Sequence, residues 1–206
     1  MMDDDDYTSQ EPLQDCFSIV IVGDENVGKT SILTKYCNNN FSEEKKTQNT
    51  IDIYTKSTTI NNRTYRLKLW DTQFNESCFK LNKQIYERAD CLIFAYSVND
   101  RDSFANLNKW YRILADNMDL SEKQMMIVGN KIDLEEERVV SVDEIKRKGE
   151  DMEMECFEVS CLTGEGMNKA FECLIQKAIK YTYKEMEKSP FELHFQKKVS
   201  NSNCSG

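Results

Sequence analysis

Residues 16–22, Cys-Phe-Ser-Ile-Val-Ile-Val, form an almost unbroken apolar run. A run this short, closed by glycine, suits a strand buried on both faces. The period then changes, because Ile32, Leu33 and Tyr36 fall on one side of a helix that opens out of the turn GDENVGKT. Over RTYRLKLW it returns to two, with Tyr65, Leu67 and Leu69 on one face, which predicts a half-exposed strand. CLIFAY and MMIVGN are continuous again and predict central parallel strands, and FEVS predicts a short final one.

Amphipathic segments lie between the strands. SFANLNKWYRILADN puts Phe104, Leu107, Trp110, Ile113 and Leu114 on one helix face. Ser141 followed by Glu144 is a capping-box signature ahead of EIKRKGEDM. Ala170, Phe171, Leu174, Ile175, Ala178 and Ile179 make the apolar stripe of a long last helix. Strand and helix alternate almost regularly, so the predicted class is α/β, with an open, mostly parallel sheet and helices on both faces. Sheets of this kind bind ligands beyond the carboxyl ends of their strands. The motifs that carry chemistry here all fall there, in loops that follow strands.

Composition narrows the partners. The 206 residues suffice for one domain with a full core, and 27 Lys and Arg against 36 Asp and Glu give a net charge of −9. No basic stripe exists to neutralise a phosphate backbone, so no nucleic acid partner is expected. A nucleotide is still admissible, since local backbone N–H groups bind phosphate whatever the net charge. The eight cysteines are scattered without a C-x-x-C pair, and His194 is the single histidine. Free thiols of a reducing compartment are therefore expected in preference to a zinc site or a disulfide framework. No apolar run reaches transmembrane length, and MMDDDDYTSQ is acidic, unlike a signal peptide. The expected organisation is an acidic flexible arm over 1–15, a nucleotide-binding domain over 16–182 and a C-terminal tail over 183–206. The expected setting is cytoplasmic.

Gly23-Asp24-Glu25-Asn26-Val27-Gly28-Lys29-Thr30 fits G-x-x-x-x-G-K-[ST], after a predicted strand and at the start of a helix. Its glycines let the backbone curl around phosphate oxygens. Lys29 then reaches the β- and γ-phosphates, and the Thr30 hydroxyl holds Mg²⁺. Glu25, Asn26, Val27, Gly28, Lys29, Thr30 and the adjoining Ser31 are the candidate phosphate contacts. A chance glycine-rich turn is the competing reading, and the strand–loop–helix context weighs against it. Asn130-Lys131-Ile132-Asp133 closes the MMIVGN strand. The Asp133 carboxylate can accept from both N1–H and the exocyclic amine of guanine, a pair that adenine lacks. Ser160-Cys161-Leu162 follows the last strand, where a backbone N–H can meet the guanine O6.

With these residues the chain resembles the small GTPases of the Ras superfamily, and within them the Rab family. The resemblance rests on GDENVGKTS, LWDT, IYERAD, FAYSVNDRDSFANLNKW, VGNKIDL, VVS and VSCLTGEG and spans about residues 16–180. It implies a P-loop fold with six strands and five helices, GTP/GDP with Mg²⁺ as cofactors, and GTP hydrolysis. It also implies effector and exchange-factor proteins meeting the switch regions, and peripheral endomembranes as the site of action. An aromatic lid on the base falls on Phe41.

The departures from the family gather around the γ-phosphate. The family's D-T-A-G-Q-E maps onto Asp71, Thr72, Gln73, Phe74, Asn75 and Glu76. Asp71 keeps the metal-holding carboxylate, while Phe74 stands for a glycine whose missing side chain lets its N–H approach the γ-phosphate. Asn75 stands for the glutamine that orients the attacking water. Its stem is one methylene shorter, and a misplacement of about 1 Å can cost ~100-fold in rate. Lys29 and Asn75 are the candidate catalytic residues. In switch I the metal-binding threonine falls on Gln48, and Thr47 or Thr50 substitutes only if the loop slips, so the candidate metal set is Thr30, Asp71 and Thr50. Glu25 replaces a small residue. Pointed inward at ~6 Å it would repel a unit phosphate charge by roughly 3 kcal/mol at an effective dielectric of ~20. Leu162 replaces a lysine whose aliphatic stem covers the base.

Two functions follow: a Rab-like switch with very slow intrinsic hydrolysis, or a pseudo-GTPase module that holds GDP or GTP without switching. Cys204 lies third from the end and makes no C-a-a-X box, so a lipid anchor is not expected there. HFQKKVSNSNCSG distantly echoes CFSIVIVGDENVG, and the start of a second nucleotide domain is the alternative reading of the tail.

Overall fold

The computed structural model describes residues 16–38, 52–72 and 83–188. Six strands form one sheet in the order β2-β3-β1-β4-β5-β6. They are β1 (Cys16–Gly23), β2 (Asp52–Ile60), β3 (Arg63–Asp71), β4 (Cys91–Ser97), β5 (Gln124–Asn130) and β6 (Glu155–Glu158). β2 and β3 pair antiparallel, and every other neighbouring pair is parallel. The helices are α1 (Lys29–Asn38), α2 (residues 83–88), α3 (Arg101–Ala105), α4 (Leu107–Ala115), α5 (Val142–Met152) and α6 (Met167–Lys188). Among them none is long and apolar enough to cross a membrane.

The unbroken apolar run of β1 has a direct packing reason. Phe17, Ile19 and Ile21 enter one core with Ile32, Leu33 and Tyr36 of α1 and with Phe171, Leu174 and Ile175 of α6. Val20 and Val22 enter the other core, with Leu107, Trp110 and Leu114 of α4 and Ile145 of α5. Alternate side chains thus feed opposite faces of the sheet, and both faces are covered. Each fully buried Ile or Leu contributes about 1.5–3 kcal/mol relative to exposure.

β2 escaped the hydrophobic pattern for a visible reason. Its half-buried face carries Tyr54, Lys56 and Thr58, while Ile53 on the other face is 52% exposed. Lys56 Nζ donates to the Tyr36 carbonyl at 2.5 Å and lies 3.9 Å from the Tyr36 ring centroid. A lysine ammonium laid over an aromatic ring fills a place that a period-two apolar residue would otherwise mark.

The helix expected over SFANLNKWYRILADN is broken at Asn106 into α3 and α4. Among the described residues six α-helices therefore stand where five were expected. The apolar face survives the break, since Phe104, Leu107, Trp110 and Leu114 are all buried and Ile113 is partly so. β6 begins before FEVS, at Glu155. α6 runs past the expected domain end at 182 to Lys188, and Tyr183 accepts a hydrogen bond from the Arg63 guanidinium in the β2–β3 hairpin.

The capping box forms as expected. Ser141 Oγ accepts from the Glu144 N–H, and Glu144 Oε2 accepts from the Ser141 N–H at 2.9 Å. Ser141→Ala should cost about 1 kcal/mol, the usual value of a serine cap. In a chain of this size that lowers the thermal midpoint by roughly 2–4 °C, readable by circular dichroism.

Candidate functional site

The parallel register brings the carboxyl ends of the strands to one edge. Gly23 lies beside Ala95, Ile21 beside Asp71, and Ser97 beside Asn130. Three loops leave that edge and bond to one another: 23–30, 130–134 and 159–166.

Backbone conformation shapes the first loop. Gly23 has φ +150°, and a Cβ there would overlap the Ala95 carbonyl oxygen. Gly28 has φ +92°, and a Cβ there would overlap Asn130 Nδ2. Glycine at these two positions is a condition for the close approach of loop, strand and Asn130. Between them Asn26 takes a left-handed φ of 63°, Glu25 and Asn26 are exposed, and Val27 is fully buried as the loop's apolar pin. The Glu25 side chain thus lies on the solvent side, where water screens the repulsion it would exert from inside.

Lys29 folds back over the loop, its Nζ donating to the Gly23 carbonyl at 2.9 Å and to the Asp24 carbonyl at 2.7 Å. Burial pushes its pKa down, and the carboxylates of Asp71, Asp24 and Glu25 oppose that shift. The ammonium is thus a cation held among acceptors that an anionic ligand could replace. Thr30 is exposed at the start of α1, and Ser31 beside it is half-buried. Asp71 is 7% exposed at the end of β3, and the next residue, Thr72, donates its hydroxyl to the Ile21 carbonyl at 3.1 Å. These donors and carboxylates suit a nucleoside polyphosphate and a hard, oxygen-loving cation.

Asn130 joins the three loops. Its Nδ2 donates to the Val27 carbonyl at 2.9 Å, and its Oδ1 accepts from the Cys161 thiol at 3.2 Å and the Cys161 N–H at 3.4 Å. Both ends of the amide are used within the protein, and the side chain is buried. Lys131 takes a left-handed φ of 68°, and beyond it Asp133 Oδ1 accepts from Ser160 Oγ at 2.5 Å. Ser160 Oγ in turn accepts from the Thr163 N–H at 3.0 Å. Burial pushes the Cys161 thiol up to about 12, so it stays protonated and remains a donor. Leu162 is 54% exposed, an apolar side chain free to cover a planar ligand. The expectations placed on Phe41, Thr47, Gln48, Thr50, Phe74 and Asn75 lie outside the described residues.

Asp24, Asn106 and Trp110 are part of the site and were not legible as such. Asp24 Oδ1 accepts from Trp110 Nε1 at 2.6 Å, and Oδ2 accepts from Asn106 Nδ2 at 2.7 Å. Trp110 reads from its spacing as a core residue, which it also is. The one available signal was that a buried indole N–H needs an acceptor.

The sequence profile of the Ras family matches residues 18–180. Among similar proteins, the Ras-related protein RABG3f of Arabidopsis thaliana is 34% identical over 171 residues, covering 79% of this chain and 82% of its own. The Ras-related protein Rab7 of Cenchrus ciliaris is likewise 34% identical over 171 residues, with the same coverage of 79% and 82%. The Ras-related protein Rab-11B of Dictyostelium discoideum is 36% identical over 156 residues, covering 76% of this chain and 70% of its own. A profile that spans the whole sheet, and relatives that align over most of both chains, accord with the loop geometry at the carboxyl edge: the chain belongs to the Ras family and is a Rab-like small GTPase.

Proposed function

We propose that the protein is a guanine-nucleotide switch of vesicle trafficking whose intrinsic GTP hydrolysis is very slow. The observation that carries the binding half is Asn130. One buried amide holds the phosphate-type loop at Val27 and the base-side loop at Cys161, so both ends of a nucleotide would meet a single braced frame. Lys29 and the loop amides of 25–28 hold the phosphates. Lys131 and the Asp133 carboxylate, braced by Ser160, select guanine, with the Cys161 N–H and the Leu162 side chain beside the base. Thr30 and Asp71 would hold Mg²⁺, with Thr47 or Thr50 of switch I as the third protein ligand. Bound there, Mg²⁺ neutralises phosphate oxygens and favours departure of the γ-phosphoryl group.

The slow-hydrolysis half rests on residue types at 74 and 75. Asn75 stands where the family has glutamine, on a stem one methylene shorter, and Phe74 stands where the family has glycine. Neighbouring endomembranes, effectors and exchange factors are assigned on the Rab relationship. In single-turnover assays on GTP-loaded protein, γ-phosphate release is expected to be slow, and Asn75→Gln should raise it at least ~10-fold by restoring reach. A wild-type rate typical of the family would remove the claim of impairment. Equal affinity for GDP and a non-hydrolysable GTP analogue would instead favour a nucleotide-holding module, since a switch requires differential contacts in its two states.

A further inference from the structure

The Asp24 side chain sits inside the phosphate loop yet faces away from it. Both carboxylate oxygens are taken by neutral donors of the α3–α4 junction, Trp110 Nε1 at 2.6 Å and Asn106 Nδ2 at 2.7 Å. A carboxylate beside phosphates would repel them. Two short N–H donors hold this one in a fixed direction toward Asn106 and Trp110, and the Lys29 ammonium rests on the Asp24 backbone carbonyl at 2.7 Å. Asp24 therefore has two attachments: its main chain seats Lys29, and its side chain seats the helix junction.

The junction gives something up for this contact. Asn106 is the residue preceding α4, a place where asparagine ordinarily caps the helix through its side chain. Here it makes no side-chain cap, and its backbone is helical, with φ −71° and ψ −8°. Its amide is turned to Asp24 instead. The break between α3 and α4 falls at this same residue, so the helix interruption and the loop contact are one feature.

We propose that Asp24 is a positioning residue that anchors the phosphate loop to the α3–α4 junction through Asn106 and Trp110, and so sets the lifetime of the bound nucleotide. The proposal rests on the reading of 23–30 as the phosphate loop. The anchor ties nucleotide hold to the α3–α4 segment, far in sequence from the switch regions. A partner that moved that segment would act on nucleotide release.

The test uses the full chain and its Trp110→Phe and Asn106→Ala variants. Each removes one donor from Asp24, and Asn106 is partly exposed, so its truncation leaves the core intact. Release of a fluorescent GDP is expected to quicken about tenfold in each, the effect of losing one hydrogen bond to a charged group. In an Asp24→Ala background neither change should add anything, because the acceptor has gone. Amide hydrogen exchange at 24–28 should rise in both variants, with β5 unchanged, a response that general loss of stability would not confine to the loop. Wild-type release rates together with unchanged loop exchange would overturn the anchor. Should wild-type protein bind no guanine nucleotide, the phosphate-loop reading fails, and the exchange result alone still decides whether Asp24 anchors the loop.

Discussion

Lys29→Ala should lower affinity for GDP and GTP by at least ~100-fold, measured by calorimetry or by competition with a fluorescent nucleotide. The ammonium is held over the loop by the carbonyls of Gly23 and Asp24 and sits in the field of Asp71, Asp24 and Glu25. A phosphate arriving there exchanges two neutral acceptors for an anionic one, which strengthens the contact. Removing one partner of a buried charge pair costs about 2–5 kcal/mol, and each 1.4 kcal/mol is tenfold in affinity. The loss is amplified because the field of the nearby carboxylates, Asp71 foremost, then acts on the phosphates without a counter-charge. An affinity within threefold of wild type would show that Lys29 does not carry the phosphate contact. Asn130 and its partners would then need a different ligand.

Asn130→Ala should destabilise the protein itself, by roughly 2–4 kcal/mol in denaturant unfolding, and should speed nucleotide release. The substitution leaves the buried Val27 carbonyl without its donor and the Cys161 thiol without its acceptor, and an unsatisfied buried polar group costs about 1–3 kcal/mol. Asn130→Asp tests the direction of the amide. It is nearly isosteric and keeps the acceptor for Cys161, but it sets a second oxygen against the Val27 carbonyl oxygen. We expect it to be at least as damaging as alanine at neutral pH, whereas loss of volume alone would make it the milder change. Gly28→Ala should converge on the same phenotype from the other side of the contact, since its Cβ would occupy the place of Asn130 Nδ2. A double variant of Gly28 and Asn130 should then cost less than the sum of the two single changes.

The two anchors divide the labour within the loop. Asn130 fastens its far end at Val27 to the base side, and Asp24 fastens its near end to the α3–α4 junction. Between them Glu25 and Asn26 are exposed and hold the bend. A loop pinned at both ends presents its N–H groups without first having to order them, so less binding free energy is lost to conformational entropy.

Much of this architecture is written in local pattern. The runs at CFSIVIV, CLIFAY and MMIVGN mark central strands because each residue is buried on one face or the other. The capping box at Ser141 and the stripe of α6 are equally local, resting on spacings of three and four residues. β2 was not legible, because a lysine whose ammonium lies over Tyr36 replaces an apolar residue on its half-buried face. The break at Asn106 was not legible either, since nothing within a few residues of it explains why its amide turns away from the helix.

By itself, then, the sequence determined the class of fold, most of its strands and helices in their order, and the chemistry offered at each strand's carboxyl end. Glycine spacing, a lysine after the second glycine and an aspartate after N-K-x are short-range statements, and short-range statements survive in one dimension. Only the tertiary structure decided what Asn130 and Asp24 do. Their partners lie 103 residues away at Val27, and 82 and 86 residues away at Asn106 and Trp110. A hydrogen bond depends on distance and direction in space, and parallel strands joined by helical crossovers bring distant segments side by side at one edge.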